Sequence, residues 1–168
     1  NIGLTGASDT LSIDTANPTV NVALVNSVLN QAANSSVVTF TFSEAPVGFS
    51  IDDITAENGT VTGLTATHDP LVYTATFTAD DNFTGAGSVT VTGSYTDLVG
   101  NIGLTGASDT LSIDTANPSS TVAITAAALT DASNTSAVSI TFTEAVADFG
   151  NADVSVVGGS LSDLTSAD

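Results

Sequence analysis

The side chains of this sequence best suited to chemistry are carboxylates, and the chemistry they suit is the holding of a hard cation. Asp14, Glu44, Asp97 and the amide of Asn101 are oxygen ligands of the kind calcium takes, about six to eight of them at about 2.3–2.6 Å. Asp114 and Glu144 repeat the first pair 100 positions on. Asp52, Asp53, Asp80, Asp81 and Asp153 are weaker candidates, because an isolated loop carboxylate is ordinarily solvated. Spacing alone leaves a plainer reading open, in which Asp before a proline-containing turn, and the run Asp97-Leu-Val-Gly-Asn101, serve only turn formation.

Other chemistries lack their residues. His68 stands alone at a loop position, and no Ser-His-Asp or Cys-His set recurs with the pattern. No glycine fingerprint for phosphate is present. The adjacent acids have no aromatic sugar platform beside them, so glycoside hydrolysis is not supported. The sequence reads as that of a non-enzyme. Sequons at Asn34, Asn58, Asn82 and Asn134, all expected in loops, are possible glycosylation sites.

With 18 acidic residues, no Lys or Arg and one His, the formal charge is -18. Nothing can neutralise a phosphate, which excludes nucleic acid and direct binding to an anionic membrane. Disorder is not implied, since only 11% of residues are charged and 42% are hydrophobic. Without cysteine there are no disulfides, and without lysine there are no Lys-Asn isopeptide braces. Carboxylate-held cations are the remaining source of extra stabilisation.

The elements that must position these acids are strands. Apolar and polar residues alternate at period two, with turn residues between the runs. The runs are Val20 to Leu24, Val38 to Phe42, Phe49 with Ile51, Val61 with Leu64, Leu71 to Phe77, Val89 to Tyr95, and Leu111 with Ile113. About seven strands in 100 residues predict an all-β fold, an immunoglobulin-like antiparallel β-sandwich. In that topology the second-to-third and sixth-to-seventh connections return to the end where the first strand starts. Asp14, Glu44, Asp97 and Asn101 are thereby expected at one end. Asp80 and Asp81, with Asp52 or Asp53, are expected at the other, facing Asp114.

Residues 1–18 return unchanged as 101–118, and 19–68 align with 119–168 without a gap, identical at 16 positions. A period of 100 matches a complete small domain. With the boundary before Asp14 and Asp114, residues 1–13 are expected to be the last strand of a preceding repeat, 14–113 a whole repeat and 114–168 the first half of the next. The fragment reads as a window on a longer chain in preference to a subunit completed by donated strands.

Phe-Ser-Glu-Ala at 42–45, Asp-Asp-Ile at 52–54, Tyr-Thr-Ala-Thr-Phe at 73–77, Tyr-Thr-Asp-Leu-Val-Gly-Asn at 95–101 and Ile-Asp-Thr-Ala-Asn-Pro at 113–118 resemble the bacterial Ig-like tandem repeats of giant type I secreted, biofilm-associated adhesins. The resemblance implies an extended string of sandwiches, extracellular and at the cell surface, with calcium stiffening the junctions. The partners implied are neighbouring repeats of the same chain or filament, and a cell-surface or matrix ligand reached through another part of the protein. The expected function is a structural extender supporting adhesion or biofilm cohesion. A ligand- or glycan-binding Ig-like module, and an accessory domain of a secreted hydrolase, are the alternatives.

Overall fold

The computed structural model describes residues 9–108 and 110–166. They form two compact units, Asn1–Ala116 and Asn117–Asp168. Among the described residues no helix is long and apolar enough to cross a membrane.

The first unit is built from β1 (Val20–Leu24), β2 (Val28–Asn30), β3 (Ser35–Phe42), β4 (Ile54–Glu57), β5 (Gly59–Ala66), β6 (Val72–Ala79), β7 (Thr84–Val91), β8 (Gly106–Ala107) and β9 (Leu111–Asp114). One sheet runs β1-β3-β6-β5, and the other runs β2-β9-β7-β4 with β8 also on β7. All pairings are antiparallel except β2 with β9. This is the immunoglobulin-like sandwich expected from the alternation.

The period-two pattern determines which side chains enter the core. In β3, Ser36, Val38, Phe40 and Phe42 are buried while the residues between them face outward. Ala75, Phe77 and Ala79 of β6 and Val89 and Val91 of β7 meet them from both sheets, with Leu111 and Ile113 of β9. Phe40, Phe42, Phe49, Tyr73 and Tyr95 pack edge to face, with ring centroids 4.8–6.0 Å apart. These rings fill the end of the core nearest the cluster of acids.

Three details differ from the simple strand count. Phe49 and Ile51 alternate like a strand, yet Ile51–Asp53 form a 3-10 turn, because Asp53 Oδ2 accepts from the Ser50 amide at 2.8 Å. The short strands β2 and β8 add to the expected seven: β2 carries the start of the chain across to the second sheet, and β8 extends the partner of β7. Tyr95 lies past the end of β7, buried where the chain turns over the end of the sandwich.

Residues 1–8 of the expected N-terminal strand lie outside the described residues. In residues 9–13 there is no strand: Leu11 is 84% and Ile13 74% exposed, whereas their identical counterparts Leu111 and Ile113 are 2% and 0% exposed. The difference is one of partners. Strand β9 forms because β7 and β2 flank it, and no such flanking strands meet residues 9–13 among the described residues.

The second unit holds β10 (Ser120–Ile124) paired with β11 (Val138–Phe142), followed by the 3-10 turn Asn151–Asp153. Its register repeats that of β1 with β3, position for position 100 residues on. Its apolar residues Val122 and Ile124, which match the core-packed Val22 and Leu24, are exposed. The stretches that cover their counterparts in the first unit, β6 and β7, have no equivalents among residues 117–168.

Candidate metal centre

The end of the first sandwich at which β1 begins is assembled by three connections. The chain enters through residues 14–19, returns between β3 and β4 through Ser43 and Glu44, and returns again after β7 through the loop 97–101. The entry is pinned to the second connection: the Ser43 amide donates to Thr19 O at 2.9 Å, and the Thr19 amide donates to Ser43 Oγ at 2.9 Å. It is pinned to the third by Asn101 Nδ2, which donates to Asp14 O at 3.3 Å.

Asp97 organises its loop. Its Oδ1 accepts from the amides of Val99, Gly100 and Asn101 at 2.9, 2.7 and 2.8 Å, and its Oδ2 accepts from Asn101 Nδ2 at 2.7 Å. Gly100 sits at φ 98°, a left-handed conformation that a residue with a side chain would adopt only with strain. The Asp-Leu-Val-Gly-Asn spelling is therefore set by the turn as well as by the acid. Desolvation raises the Asp97 pKa, but the four hydrogen bonds outweigh it and hold the carboxyl below its ordinary 3.8.

Carboxylate oxygens of Asp14, Glu44 and Asp97 lie within 4.8 Å of one another, the one such group of three among the described residues. The sequence has no Lys or Arg to neutralise them. Partial burial first, and then the charges of Asp14 and Asp97, push the Glu44 pKa above 4.5. Two ligands on opposite sides of one calcium ion stand about 4.6–5.2 Å apart. The spacing and the all-oxygen donor set are of the kind a single hard cation takes.

The remaining candidates stand outside this group of three. Asp52 and Asp53 were expected at the far end, but both stand at the Asp97 end: Asp53 O accepts from the Thr92 amide just beyond β7, and Ile54 pairs with Val91. The long β3–β4 connection is spent at that end before β4 starts, which the topology argument did not resolve. Asp53 is buried and caps its turn; Asp153 is exposed and caps its own through the Gly150 amide at 2.9 Å. Asp80 and Asp81 are exposed at the opposite end, where Asp114 Oδ1 accepts from Thr84 Oγ1 at 3.0 Å. Glu144 is exposed after β11, and the position matching Asp97 would be 197, outside this sequence. His68 is exposed. Of the sequons, Asn82 and Asn134 are exposed, Asn34 is half-buried, and Asn58 Nδ2 is engaged with Ala86 O at 2.7 Å.

Two residues of the repeated block matter in ways that the search for carboxylates missed. Pro18 is buried, and its carbonyl accepts from Tyr95 Oη at 3.3 Å and from the Leu104 amide at 2.9 Å. Thr115 is 0% exposed at the other end of the sandwich. Its Oγ1 accepts from the Phe83 amide at 3.0 Å and donates to Asp80 O at 2.6 Å. The letter-for-letter return of the block was the available signal.

The sequence matches the bacterial Ig-like domain over residues 14–113 and again over 114–168. The chain belongs to the bacterial Ig-like domain family. No curated protein matches it. Among solved structures, the Ig-like chain is similar to FdeC, described as an adhesin of Escherichia coli, at 19% identity and a TM-score of 0.43; the match covers 80% of this chain and 42% of that one. In the first unit, the cluster of acids lies where the chain enters the sandwich, and Thr115 lies where it leaves.

Proposed function

We propose that this chain is an extender segment of a long extracellular adhesin or surface filament, in which tandem Ig-like repeats carry a binding region away from the cell. The observation that carries this reading is the joint. The block spanning the end of one repeat and the start of the next is copied without change, while the sandwich bodies agree at only 16 of 50 aligned positions. A module whose role is reach depends on how its domains connect.

Calcium at the entry of each repeat is part of the proposal. Asp14, Glu44 and Asp97 would hold the ion, with Asn101 beside them, and the ion would offset three like charges that no protein cation offsets. Its role is mechanical: it ties the linker residue Asp14 to two loops of the sandwich it enters. Support for cohesion between cells follows from the same stiffness.

Melting of the chain followed with calcium and with EDTA tests this directly. Calcium at 100 times its dissociation constant stabilises by about 2.7 kcal/mol, or about 10–20 °C in a domain of this size. Asp97→Asn should reduce that shift. Superimposed melts under the two conditions would refute the cation-braced entry.

A further inference from the structure

Proline follows Asn17, Ala45, Asp69 and Asn117, so Asp69–Pro70 is the one Asp–Pro bond in the sequence. It lies in the turn from β5 to β6, where Thr67, His68, Asp69 and Pro70 are all exposed to water. The turn is held at its base: the Thr67 amide donates to Val72 O at 3.0 Å, and the Phe42 amide donates to Leu71 O at 2.9 Å.

An Asp–Pro bond is open to attack from within its own residue. The aspartate carboxylate reaches its own main-chain carbonyl carbon by closing a ring of five atoms, a proximity no external nucleophile has. The proline nitrogen carries no N–H and leaves as a secondary amine once it takes a proton. Two contacts of this turn favour that reaction. The Val72 amide donates to Asp69 O at 3.0 Å, and Thr67 Oγ1 donates to the same oxygen at 3.2 Å. Donors already placed on a carbonyl oxygen stabilise the negative charge that develops there during attack. The Leu71 amide, beyond the scissile bond, donates to Asp69 Oδ1 at 2.9 Å and so ties the carboxyl to the far side of that bond. Turn formation accounts for the Leu71 and Val72 contacts. The Thr67 hydroxyl adds a donor to the carbonyl, and it also accepts from the Asp69 amide at 3.1 Å.

We propose that this chain hydrolyses its own Asp69–Pro70 bond, a single-turnover cleavage promoted by the folded turn. Asp69 Oδ2 attacks the Asp69 carbonyl carbon, and the charge on the carbonyl oxygen is met by Thr67 Oγ1 and the Val72 amide. The C–N bond breaks, Pro70 N departs with a proton taken from solvent, and a cyclic anhydride remains on Asp69. Water opens the anhydride, so the products are a C-terminal Asp69 with two carboxyl groups and an N-terminal Pro70. Strand β5 stays paired with β6 across the cut, so the product is one sandwich held by two chains. The inference requires neither an ion nor a neighbouring repeat.

The full chain, incubated in mildly acidic buffer with tyrosine fluorescence as the check that the first unit is folded, is compared with the same chain at the same pH in concentrated urea. Intact mass under denaturing conditions reads the fragments 1–69 and 70–168. The folded chain should be cut at least about ten-fold faster than the unfolded one, a modest share of what a preorganised carbonyl donor contributes in a closed active site. Thr67→Val should slow the folded chain towards the urea rate without changing the rate in urea, and Thr67→Ser should keep the parent rate. Asp69→Ala should yield neither fragment. A folded chain cut no faster than the unfolded one, or fragments that persist in Asp69→Ala, would overturn the self-cleavage. Equal rates for folded Thr67→Val and the parent would overturn the role of the hydroxyl.

Discussion

Thr115→Val removes one hydroxyl and little volume at the exit of the repeat. Its cost follows from the bonds it breaks. The Phe83 amide loses its acceptor at 3.0 Å, and Asp80 O loses a donor at 2.6 Å. The side chain is fully buried, so the Phe83 N–H is orphaned where a buried unpaired donor costs about 1–3 kcal/mol, while the exposed Asp80 can recover a bond from water. The expected destabilisation is about 2–3 kcal/mol, which lowers the melting temperature of a domain of this size by about 10–20 °C. Thr15→Val is the matched control, an identical residue in an identical sequence context but exposed, and it should stay within about 0.5 kcal/mol of the parent. Both tyrosines, Tyr73 and Tyr95, pack in the first unit, so tyrosine fluorescence in a urea titration reports that unit alone. Equal midpoints for the two variants would refute the assignment of Thr115 as the fastener.

Two further outcomes are expected. Glu44 has a raised folded pKa, so in EDTA the stability of the first unit should rise as the pH is lowered through that value towards 4.5; Asp97 has a lowered one, so its contribution should fade as the pH drops below 3.8. Glu44→Gln should abolish the rise and leave the fall, and a rise that survives the substitution would contradict the charge cluster. Tyr95→Phe should cost about 1 kcal/mol and speed hydrogen exchange at the Leu104 amide, which Pro18 O accepts beside the lost hydroxyl; unchanged exchange there would show that the hydroxyl does not hold the entry strap.

Much of the site was legible because an Ig-like topology assigns connections to ends. Glu44 and Asp97 reach Asp14 as the order of strands requires. Asp52 and Asp53 escaped that logic, since a connection of eleven residues between β3 and β4 can spend its length at either end, and the capping bond from Ser50 to Asp53 decides where. Phe49 was misread in detail for a related reason. A side chain that enters an aromatic cluster from a loop looks, in sequence, like one more inward strand residue.

The amino-acid sequence by itself determined the all-β architecture, the period of the repeat and the side chains that alternate into the core, because these follow from local patterns of polar and apolar residues. It did not determine what the repeated block does. Leu11, Ile13 and Thr15 are exposed where Leu111, Ile113 and Thr115 are buried, and Pro18 is buried where Pro118 is exposed. The letters are the same, so their propensities are the same. What differs is the supply of flanking strands, amides and rings from residues distant in the chain: β2 and β7 beside residues 111–114, the turn 80–83 around Thr115, and Tyr95 over Pro18. A strand is completed by its neighbours, and only the tertiary structure supplies them.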